Sequence, residues 1–379
     1  MQHRRFLFLE SFFGGSHRAF AEGLTTHSDH TIELMTLPDE NWRWRTRAAA
    51  LQFADRIAAA RALPPPSTDP AARPLDLSEY DGIIASDLLT VSDLRALTTG
   101  PPVLLYVHES QMTYPLPKGE TVDAQTAFAD IRNVLMADHA VFNSAVHRQR
   151  FLERAGAILE SAPIPELVHI LEALDSRSSV LHPGCELDAL LAEDTAAGVS
   201  SDGPLIIWNH RWEYDKNPAP FFRTLETLAG EGLPFRVAVL GENPQYHPKE
   251  FEAARETLGK RIVHYGYVAD RHAYEAVLRE GDIVISTSVQ ENFGISVVEA
   301  VAAGCAPLLP RRLSYPEIIP EQWHGACLYG SNRELVDRLR HWLRAGPPEL
   351  PGLREAMRRY DWRVMAGRYD RLLSRIAGR

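Results

Sequence analysis

Short apolar runs alternate with longer stretches of mixed polarity along most of the chain. The runs predict buried β-strands, and the stretches between them, rich in Ala, Leu and charged residues, predict helices. Such alternation is typical of parallel strands joined by helical crossovers, with helices on both faces of the sheet. The predicted strands of the first half are Arg5–Glu10, Thr31–Leu37, Asp81–Ser86, Val103–His108, His139–Asn143 and Ser179–Leu181. Those of the second half are Leu205–Asn209, Arg236–Leu240, Ile262–Tyr265, Ile283–Ser286 and Ala306–Leu309.

The pattern occurs twice, which predicts an α/β protein of two doubly wound, Rossmann-like domains. A chain of 379 residues is long enough for two such domains, each with its own core. We expect the first at residues 1–195 and the second at residues 204–350, joined by a hinge rich in Ala, Gly, Ser and Asp. The amphipathic residues 351–379 predict a C-terminal helix that packs back on the first domain. Because ligands bind at the carboxyl ends of such strands, we expect the two domains to face a ligand-binding cleft.

Composition excludes several classes of protein. The formal net charge of -10 does not fit a protein that binds nucleic acid through an overall basic surface. No apolar run approaches the roughly 20 residues that span a bilayer, so we expect no membrane partner. The cysteines are odd in number and far apart, which argues against disulfides or a zinc site and favours the reducing cytoplasm. We therefore expect Cys185, Cys305 and Cys327 to be small buried residues.

The most informative segment begins where the strand at Ile283–Ser286 ends. A short loop then holds Glu291, and a helix is predicted to start near Gly294. The unpaired N–H groups and positive dipole of a helix N-terminus suit a diphosphate, while Glu299 can accept hydrogen bonds from ribose hydroxyls. Glutamates at this spacing are also common as solvated charges on a helix face. The strand before Glu291 and the glycine at the turn favour a donor site over that alternative. The donor-binding residues predicted in this segment are Phe293, Gly294, Ile295, Ser296 and Glu299.

Three more loops follow strands of the second half. The first contains Arg211 and Lys216, two cations placed to neutralise a leaving diphosphate, Arg as a planar fork and Lys as a point charge. The alternative is that both are ordinary surface cations in a polar loop. Gly241 and Gly266 follow the next two strands, where a glycine permits a ligand to approach the backbone closely. Together with the Glu291 loop they mark the strand ends of one domain.

The first half has its own candidates. Gly14 and Gly15 lie at the predicted turn between the first strand and a helix, where a phosphate or sugar could approach the backbone, although an ordinary turn also uses glycine. Ser16 and His17 follow directly. His108 ends the fourth predicted strand, and we expect its side chain to point into the cleft as a catalytic rather than a purely structural histidine.

Aromatic and cationic residues alternate from Trp42 to Arg47. Arg side chains contact phosphates and Trp rings stack on bases, so this segment is the best candidate for a local nucleic-acid surface on an otherwise acidic protein. The alternative is the start of an amphipathic helix with buried Trp and solvated Arg. A second cationic cluster, at residues 147–150, is open to the same two interpretations.

Several of these strings together resemble one known family, the tRNA-queuosine mannosyltransferases. The resemblance extends over roughly residues 4–320, and the spacing of Glu291 and Glu299, with Phe-Gly after the first, is similar to that of retaining GT-B glycosyltransferases in general. The strings that carry the closer resemblance are Glu10-Ser-Phe-Phe-Gly-Gly-Ser-His17, Leu37-Pro with Trp42-Arg-Trp-Arg45, His108-Glu-Ser-Gln111, Phe142-Asn-Ser144, His210-Arg-Trp-Glu-Tyr-Asp-Lys216 and Tyr315-Pro-Glu317.

The resemblance implies a GT-B fold and the transfer of mannose from GDP-mannose to the cyclopentenediol of queuosine in the tRNA anticodon, in tRNA-Asp, with the anomeric configuration retained. It implies no required cofactor and no metal. Glu291 would position the sugar, His108 would hold sugar or acceptor near the anomeric carbon, and Tyr267 would contact the nucleobase. Gly14 and Gly15 would also approach the donor. The residues expected to contact the acceptor or tRNA are Ser16, His17, Trp42, Arg43, Arg45, Glu109, Gln111 and Asn143.

Two alternatives remain at this stage. The first is a glycosyltransferase of the same fold that uses another nucleotide sugar and a glycan, lipid or small-molecule acceptor. The second belongs to a different class, an isomerase of the nucleotide-sugar epimerase type, which would release an altered sugar without an acceptor. A requirement for tRNA in donor consumption distinguishes the second alternative from a transferase.

Overall fold

The computed structural model describes residues 2–57, 75–115, 124–192, 202–242 and 249–378. The chain divides into two compact units, Met1–Gly184 together with Trp362–Arg379, and Cys185–Asp361. This division lies earlier in the chain than the expected hinge between residues 195 and 204, most of which falls outside the described residues. The described part of the expected tail is also divided, because residues up to Asp361 belong to the second unit.

The first unit contains a six-stranded parallel sheet with strand order β2-β1-β3-β4-β5-β6. Strands β3 and β4 are wholly buried because helices cover both faces of the sheet. The strands are β1 (Arg5–Glu10), β2 (Thr31–Thr36), β3 (Gly82–Ser86), β4 (Val103–Val107), β5 (His139–Phe142) and β6 (Ser178–Val180). The helices before the division are α1 (Gly15–His27), α2 (Trp42–Arg56), α3 (Val91–Leu97), α4 (Ala124–Met136), α5 (Ala145–Ser161) and α6 (Ile170–Ser176).

The second unit contains another six-stranded parallel sheet, with strand order β12-β11-β10-β7-β8-β9. Its strands are β7 (Leu205–Asn209), β8 (Arg236–Leu240), β9 (Ile262–Gly266), β10 (Ile283–Ile285), β11 (Ala306–Pro310) and β12 (Leu328–Tyr329). Its helices are α7 (Asp188–Ala192), α8 (Pro218–Gly230), α9 (Lys249–Leu258), α10 (Arg271–Glu280), α11 (Ile295–Ala302), α12 (Tyr315–Ile318), α13 (His324–Cys327), α14 (Asn332–Ala345) and α15 (Leu353–Ala356). The predicted α/β class with two parallel sheets is therefore confirmed.

The last helix, α16 (Trp362–Ala377), belongs to the first unit because its apolar face covers one side of the first sheet. Trp362 and Tyr369 are buried there against Phe20. A Cβ at Gly23 of α1 would overlap the Trp362 indole, so this close approach requires glycine. Truncating a buried tryptophan costs about 3–5 kcal/mol, which makes Trp362 a principal anchor of the chain's return to the first unit.

Every predicted strand overlaps a strand of the structure. Among the strands of the described residues, only the two-residue β12 was not predicted, because so short a strand leaves no pattern in the sequence. The cysteines are buried and unbridged, as predicted. Within the described ranges, no helix combines the length and the apolar character needed to cross a membrane.

Candidate functional site

Lys216 is the centre of a buried cluster in the second unit. Its ammonium Nζ lies 3.2 Å from Oε2 of Glu291, 3.2 Å from Oδ2 of Asp215 and 3.1 Å from the carbonyl oxygen of Gln290. An ammonium has three N–H donors, so these acceptors use all of them. Burial alone would lower the pKa of Lys216, but the Glu291 and Asp215 carboxylates outweigh it and raise the pKa, so the side chain stays charged.

Backbone contacts fix the Lys216 loop against the Glu291 loop. The carbonyl oxygen of Asp215 accepts hydrogen bonds from the N–H groups of Val289 (2.8 Å) and Gln290 (3.3 Å). The Thr287 hydroxyl donates to the carbonyl oxygen of Asn217 at 2.8 Å. The loops follow β7 and β10, which are neighbours in the sheet, so parallel pairing brings both to one edge. The sheet therefore explains why residues far apart in sequence form one cluster.

The turn that begins α11 has the expected form. Gly294 has a φ of 105°, a region that side-chain-bearing residues rarely occupy, and it is the N-cap of the helix. The Ser314 hydroxyl donates to the carbonyl oxygen of Phe293 at 2.6 Å. The Phe293 side chain is 3% exposed and packs on Tyr360, so it is a core residue and leaves only its backbone for a ligand. The first N–H groups of α11, from Ile295 and Ser296, have no partner within the helix.

Glu299, on α11, is held by side chains that the sequence did not single out. Its Oε1 accepts a 2.6 Å hydrogen bond from Arg271 and its Oε2 a 3.1 Å hydrogen bond from the Tyr274 hydroxyl. The Asn209 amide at the end of β7 donates to Tyr274 and to the carbonyl oxygen of Ser296. Arg271 and Tyr274 were not predicted as site residues because they lie on α10, in a segment without a recognised motif.

The other residues predicted for the donor site of the second unit lie outside the Lys216 cluster and the α11 turn. The Arg211 side chain is 62% exposed and lies 3.3 Å from Glu213, not within the buried Lys216 cluster. Gly241 has a φ of 116°, and a Cβ there would overlap the carbonyl oxygen of His210, so glycine is required. Gly266 also has a positive φ, and nothing lies within 4 Å of the place a Cβ would take. Tyr267 is 64% exposed, which leaves its ring accessible.

His210 was not predicted as a site residue, but it lies beside the start of α11. Its Nδ1 is 3.5 Å from the hydroxyl of Ser296. Burial, with the nearby Lys216 charge, lowers the pKa of His210 to about 3, so the ring is neutral at pH 7. Its Nε2 has no hydrogen-bond partner among the described residues. This neutral, buried donor or acceptor was recognisable beforehand only by its position directly after β7.

The first unit contains a second buried cluster at the carboxyl end of β1. Oε1 of Glu10 accepts hydrogen bonds from the N–H of Phe12 (2.8 Å), the Ser86 hydroxyl (2.9 Å) and Nδ1 of His17 (3.1 Å). The His17 ring stacks on His108 with 3.8 Å between centroids. Burial opposes charging of His17, but Glu10 raises its pKa to about 9. Burial, followed by the charge of His17, holds the pKa of His108 well below its usual value.

The two histidines therefore differ in charge at neutral pH. His17 is an imidazolium paired with Glu10, and His108 is a neutral ring stacked upon it. Together with Glu10 they are the group of described residues that could hold a metal ion, with ligand atoms within 4.8 Å of one another. Nδ1 of His17 already donates to Glu10, and its raised pKa favours the proton over a metal. The geometry therefore fits an ion pair better than a metal centre.

Two aspartate carboxylates position the loop after β4. Asp87 accepts hydrogen bonds from the N–H groups of His108 (3.1 Å) and Glu109 (3.3 Å). Asp130 accepts from the Ser110 hydroxyl at 2.7 Å and from the N–H of Met112 at 3.0 Å. Burial raises the pKa of Asp87 to about 7 and that of Asp130 to about 6. Neither aspartate was predicted as a site residue from the sequence.

Two other predicted acceptor residues make hydrogen bonds to neighbours within the first unit. The Asn143 amide donates to the carbonyl oxygen of His108 at 2.8 Å and its oxygen accepts from His147 at 2.8 Å. Gln111 donates to Glu109 at 2.8 Å. Asn143 thus holds the backbone of the loop that begins at His108. His147, from the second cationic cluster, is buried in the same network, so that part of the cluster is structural.

The turn before α1 differs from a phosphate-binding loop in one respect. A Cβ on Gly14 would overlap the carboxylate of Asp39, so the close approach that this glycine permits is made by Asp39. Gly15 has a φ of 51° and open space around it, and Gly15 and Ser16 are exposed. Space for a ligand is therefore found at Gly15 and Ser16 rather than at Gly14.

The start of α2 presents its aromatic residues to the surface. Trp42 is 40% exposed and Trp44 is 66% exposed. The guanidinium of Arg43 lies 5.3 Å from the centroid of the Trp42 ring, a cation–π contact. Arg45 donates to Gln52 at 3.0 Å, two helical turns further along. The Trp side chains are therefore not buried, as the alternative expected, although the later part of α2 does have a buried apolar face. The start of the helix presents aromatic and cationic side chains at the surface.

Comparison with known proteins gives matches over both units. Residues 5–185 match the family described as tRNA-queuosine alpha-mannosyltransferase N-terminal, and residues 193–361 match glycosyl transferases group 1. The tRNA-queuosine alpha-mannosyltransferase of Drosophila melanogaster is 34% identical over 351 residues, covering 89% of this chain and 86% of that protein. A GDP-mannose-dependent alpha-(1-6)-phosphatidylinositol dimannoside mannosyltransferase of Mycobacterium tuberculosis is 28% identical over 123 residues, 32% of this chain and 31% of its own.

Solved structures match the fold at low sequence identity. Sucrose-phosphate synthase from Thermosynechococcus elongatus has a TM-score of 0.67 at 14% identity, with 100% of both chains covered. HepE from Anabaena, in complex with UDP and glucose, has a TM-score of 0.64 at 14% identity and covers 98% of this chain and 100% of its own. These similarities show the two-domain GT-B glycosyltransferase fold.

Proposed function

Because the chain belongs to the tRNA-queuosine alpha-mannosyltransferase family, we propose that it transfers mannose from GDP-mannose to the cyclopentenediol of queuosine in the anticodon of tRNA-Asp. It is a glycosyltransferase that takes a nucleotide sugar as donor. The observation that carries the proposal is the 34% identity over 89% of the chain. That similarity includes the first unit, which holds the residues predicted to contact the acceptor, and not only the donor half that many glycosyltransferases share.

In the proposed reaction, the bond between the anomeric carbon and the diphosphate breaks while a queuosine hydroxyl forms a new bond on the same face of the sugar. The acceptor proton goes to an oxygen of the departing phosphate, and GDP leaves. Retention follows because the new bond forms on the face from which the old one departs. A double displacement would need a carboxylate nucleophile on the opposite ring face.

The second unit supplies the groups that stabilise the leaving diphosphate. The N-terminus of α11 offers N–H groups and a positive dipole, Lys216 offers a buried positive charge, and Arg211 offers an exposed one. Lys216 has no spare donor in this structure, since it contacts Glu291, Asp215 and Gln290. A phosphate that binds Lys216 must therefore replace one of these acceptors. Replacement of Glu291 would release its carboxylate to hydrogen-bond the sugar hydroxyls.

The first unit supplies the acceptor side. His108, held neutral beside the His17 imidazolium, can donate or accept one hydrogen bond to a queuosine hydroxyl without placing a second charge there. Trp42, Arg43 and Arg45, on the exposed start of α2, provide stacking and phosphate contacts for tRNA. Ser16 and Glu109 are the remaining residues of this side that we assign to the acceptor.

Nucleotide release in a panel of reactions tests the proposal. The protein is incubated with GDP-, UDP- and ADP-sugars, each with queuosine-containing tRNA, with the same tRNA lacking queuosine, or without tRNA. We expect GDP release from GDP-mannose that depends on queuosine, and a product that an α-mannosidase cleaves. Release that needs no tRNA, with an altered sugar, would instead identify an epimerase-type isomerase, and release with another acceptor only would leave the fold but remove tRNA as the substrate.

A further inference from the structure

The Glu299 carboxylate is held on both oxygens by neighbouring residues of a different helix. Arg271 reaches Oε1 at 2.6 Å and the Tyr274 hydroxyl reaches Oε2 at 3.1 Å. Both belong to the first turns of α10, whose N-terminus is capped by Asp270 through a 2.7 Å bond from the N–H of Ala273. The side chain of Glu299 is therefore fixed by α10 and not by its own helix.

These contacts leave the carboxylate able to bind a ligand. A carboxylate oxygen has two acceptor positions, and each Glu299 oxygen accepts from one of these two side chains. Tyr274 is fixed from its other side by the Asn209 amide at 3.0 Å, and Asn209 also donates to the carbonyl oxygen of Ser296 at 2.8 Å. The hydrogen bonds thus run from α10 through Tyr274 to the first turn of α11, where the diphosphate is proposed to bind.

Arg271 contributes charge as well as geometry. It bridges Glu299 and Glu275, whose Oε1 lies 2.7 Å from its Nε, and it donates to the carbonyl oxygen of Glu186 at 2.9 Å. The Glu275 side chain is 5% exposed and that of Glu299 10% exposed, so two largely buried carboxylates share one guanidinium. A guanidinium is always charged and holds its donors in a rigid plane, which suits it to orient a carboxylate.

We propose that Arg271 and Tyr274 are positioning residues that fix the Glu299 carboxylate for the ribose hydroxyls of the donor nucleotide, and so make the site select ribonucleotides over deoxyribonucleotides. The inference rests on the proposed function, in which Glu299 binds the ribose. A carboxylate that is already oriented loses little freedom when the ribose binds. Without either partner, Glu299 can rotate, and the 2′-hydroxyl loses its fixed acceptor.

Loss of the Arg271 or Tyr274 contact to Glu299 should weaken donor binding more than it slows the chemical step. The ribose is separated from the breaking bond by the diphosphate, so its interactions are the same in the ground state and the transition state. Removing such interactions raises KM and leaves kcat nearly unchanged. We expect Arg271→Met and Tyr274→Phe to weaken GDP binding by about tenfold, the effect of removing one hydrogen bond to a charged group.

The test compares GDP with 2′-deoxyguanosine diphosphate by calorimetry in five proteins: wild type, Arg271→Met, Arg271→Lys, Tyr274→Phe and Arg279→Met. Arg279 lies on the same helix and pairs with Glu275 at 3.6 Å, so it is a matched control for removal of an α10 arginine. Wild type should prefer GDP by about tenfold or more. The preference should fall towards one in Arg271→Met and Tyr274→Phe, recover in part in Arg271→Lys and persist in Arg279→Met.

An unchanged preference in both Arg271→Met and Tyr274→Phe would overturn the inference, as would an equal reduction in Arg279→Met. Tyr274→Phe keeps the size of the side chain, so it tests the idea even where Arg271→Met fails to fold. The binding assay needs neither mannose nor tRNA. A wild-type protein that binds GDP without preference over the deoxynucleotide therefore contradicts the ribose role of Glu299 alone, whereas one that does not bind GDP contradicts the proposed donor site and the inference with it.

Discussion

The ammonium group of Lys216 lies 3.2 Å from the carboxylate of Glu291 and joins two loops that follow neighbouring strands. In the proposed reaction these residues have opposite tasks, since one stabilises the diphosphate and the other positions the sugar. Their contact means that neither is fully available until the donor arrives. A donor phosphate can replace Glu291 as an acceptor of a Lys216 hydrogen bond. Binding of the diphosphate is thereby linked to release of the Glu291 carboxylate.

Replacement of Lys216 tests its catalytic role. We expect Lys216→Met to lower the rate of transfer by about 10²-fold or more, the scale for removal of one preorganised electrostatic donor. The variant also leaves the buried Asp215 without its cation, and breaking a buried pair costs about 3–5 kcal/mol of stability. Steady-state kinetics with saturating tRNA and thermal melting measure the two effects.

The double variant Lys216→Met with Asp215→Asn separates stability from catalysis. It removes a buried carboxylate together with the cation, so stability should recover in part while the rate stays low. A rate that recovers together with stability would mean that Lys216 serves only the fold.

The Glu291→Gln variant tests the exchange between the carboxylate and the diphosphate. The amide keeps the shape of the side chain but no longer neutralises Lys216. We expect GDP to bind at least as tightly as to the wild type, because Lys216 has one less anionic competitor, while transfer falls by about 10²-fold. Calorimetry with GDP and the transfer rate give the two results. A parallel fall of GDP affinity and rate would contradict the exchange.

The exposed start of α2 predicts a specific effect on tRNA. We expect Arg43→Ala with Arg45→Ala to weaken tRNA binding and to flatten its dependence on salt, by about one unit of log–log slope for each phosphate that is no longer neutralised. Trp44→Ala should weaken binding by about 1–3 kcal/mol if its ring stacks on one base. Fluorescence anisotropy over a salt series measures both quantities.

The control for the tRNA measurements is Arg368→Ala, which removes an exposed arginine of α16. GDP affinity should be unchanged in all of these variants. Wild-type affinity and salt slope in the Arg43 and Arg45 double variant would remove α2 from the tRNA surface.

The Glu10–His17 pair predicts a pH dependence of stability. Burial disfavours the His17 charge, but Glu10 raises its pKa to about 9, above the value of about 6.5 for an unfolded histidine. The stabilising contribution is therefore complete below about pH 6.5 and is lost as the pH rises through about 9. Asp87, whose pKa burial raises to about 7, changes charge mainly below this window. We expect the urea midpoint of the first unit to fall between pH 7 and pH 8.5.

The His17→Gln variant isolates that contribution. It should be less stable than the wild type at pH 7, and the difference between the two proteins should shrink by pH 8.5. A difference that stays constant over this range would show that the His17–Glu10 pair does not titrate as proposed.

The fold and the outline of the site were predictable from sequence for definite reasons. Buried parallel strands leave long apolar runs, and the carboxyl ends of those runs locate the loops that hold Lys216 and Glu291. Glu10 could have been identified in the same way, as a charged residue that ends an apolar run and is fully buried in the structure. Its pairing with His17 required only that both lie at one strand-to-helix turn.

The remainder depends on packing that the sequence pattern does not contain. Arg271 and Tyr274 act through the approach of α10 to α11, which no local motif encodes. Asn143 has the residue type of a ligand contact, but its amide holds the His108 loop and His147. Polar side chains at strand ends serve ligands and loops alike, and only their hydrogen-bond partners separate these two roles.

The most direct test of the central claim is mass spectrometry of the tRNA itself. Queuosine-containing tRNA-Asp is incubated with the wild-type protein and GDP-mannose that carries an isotopically labelled sugar, and the tRNA is then digested to nucleosides. The account predicts that queuosine is replaced by a nucleoside heavier by one labelled hexose, and that Lys216→Met forms far less of it. Unchanged queuosine with the wild type, in a preparation that binds GDP, would contradict mannose transfer to tRNA.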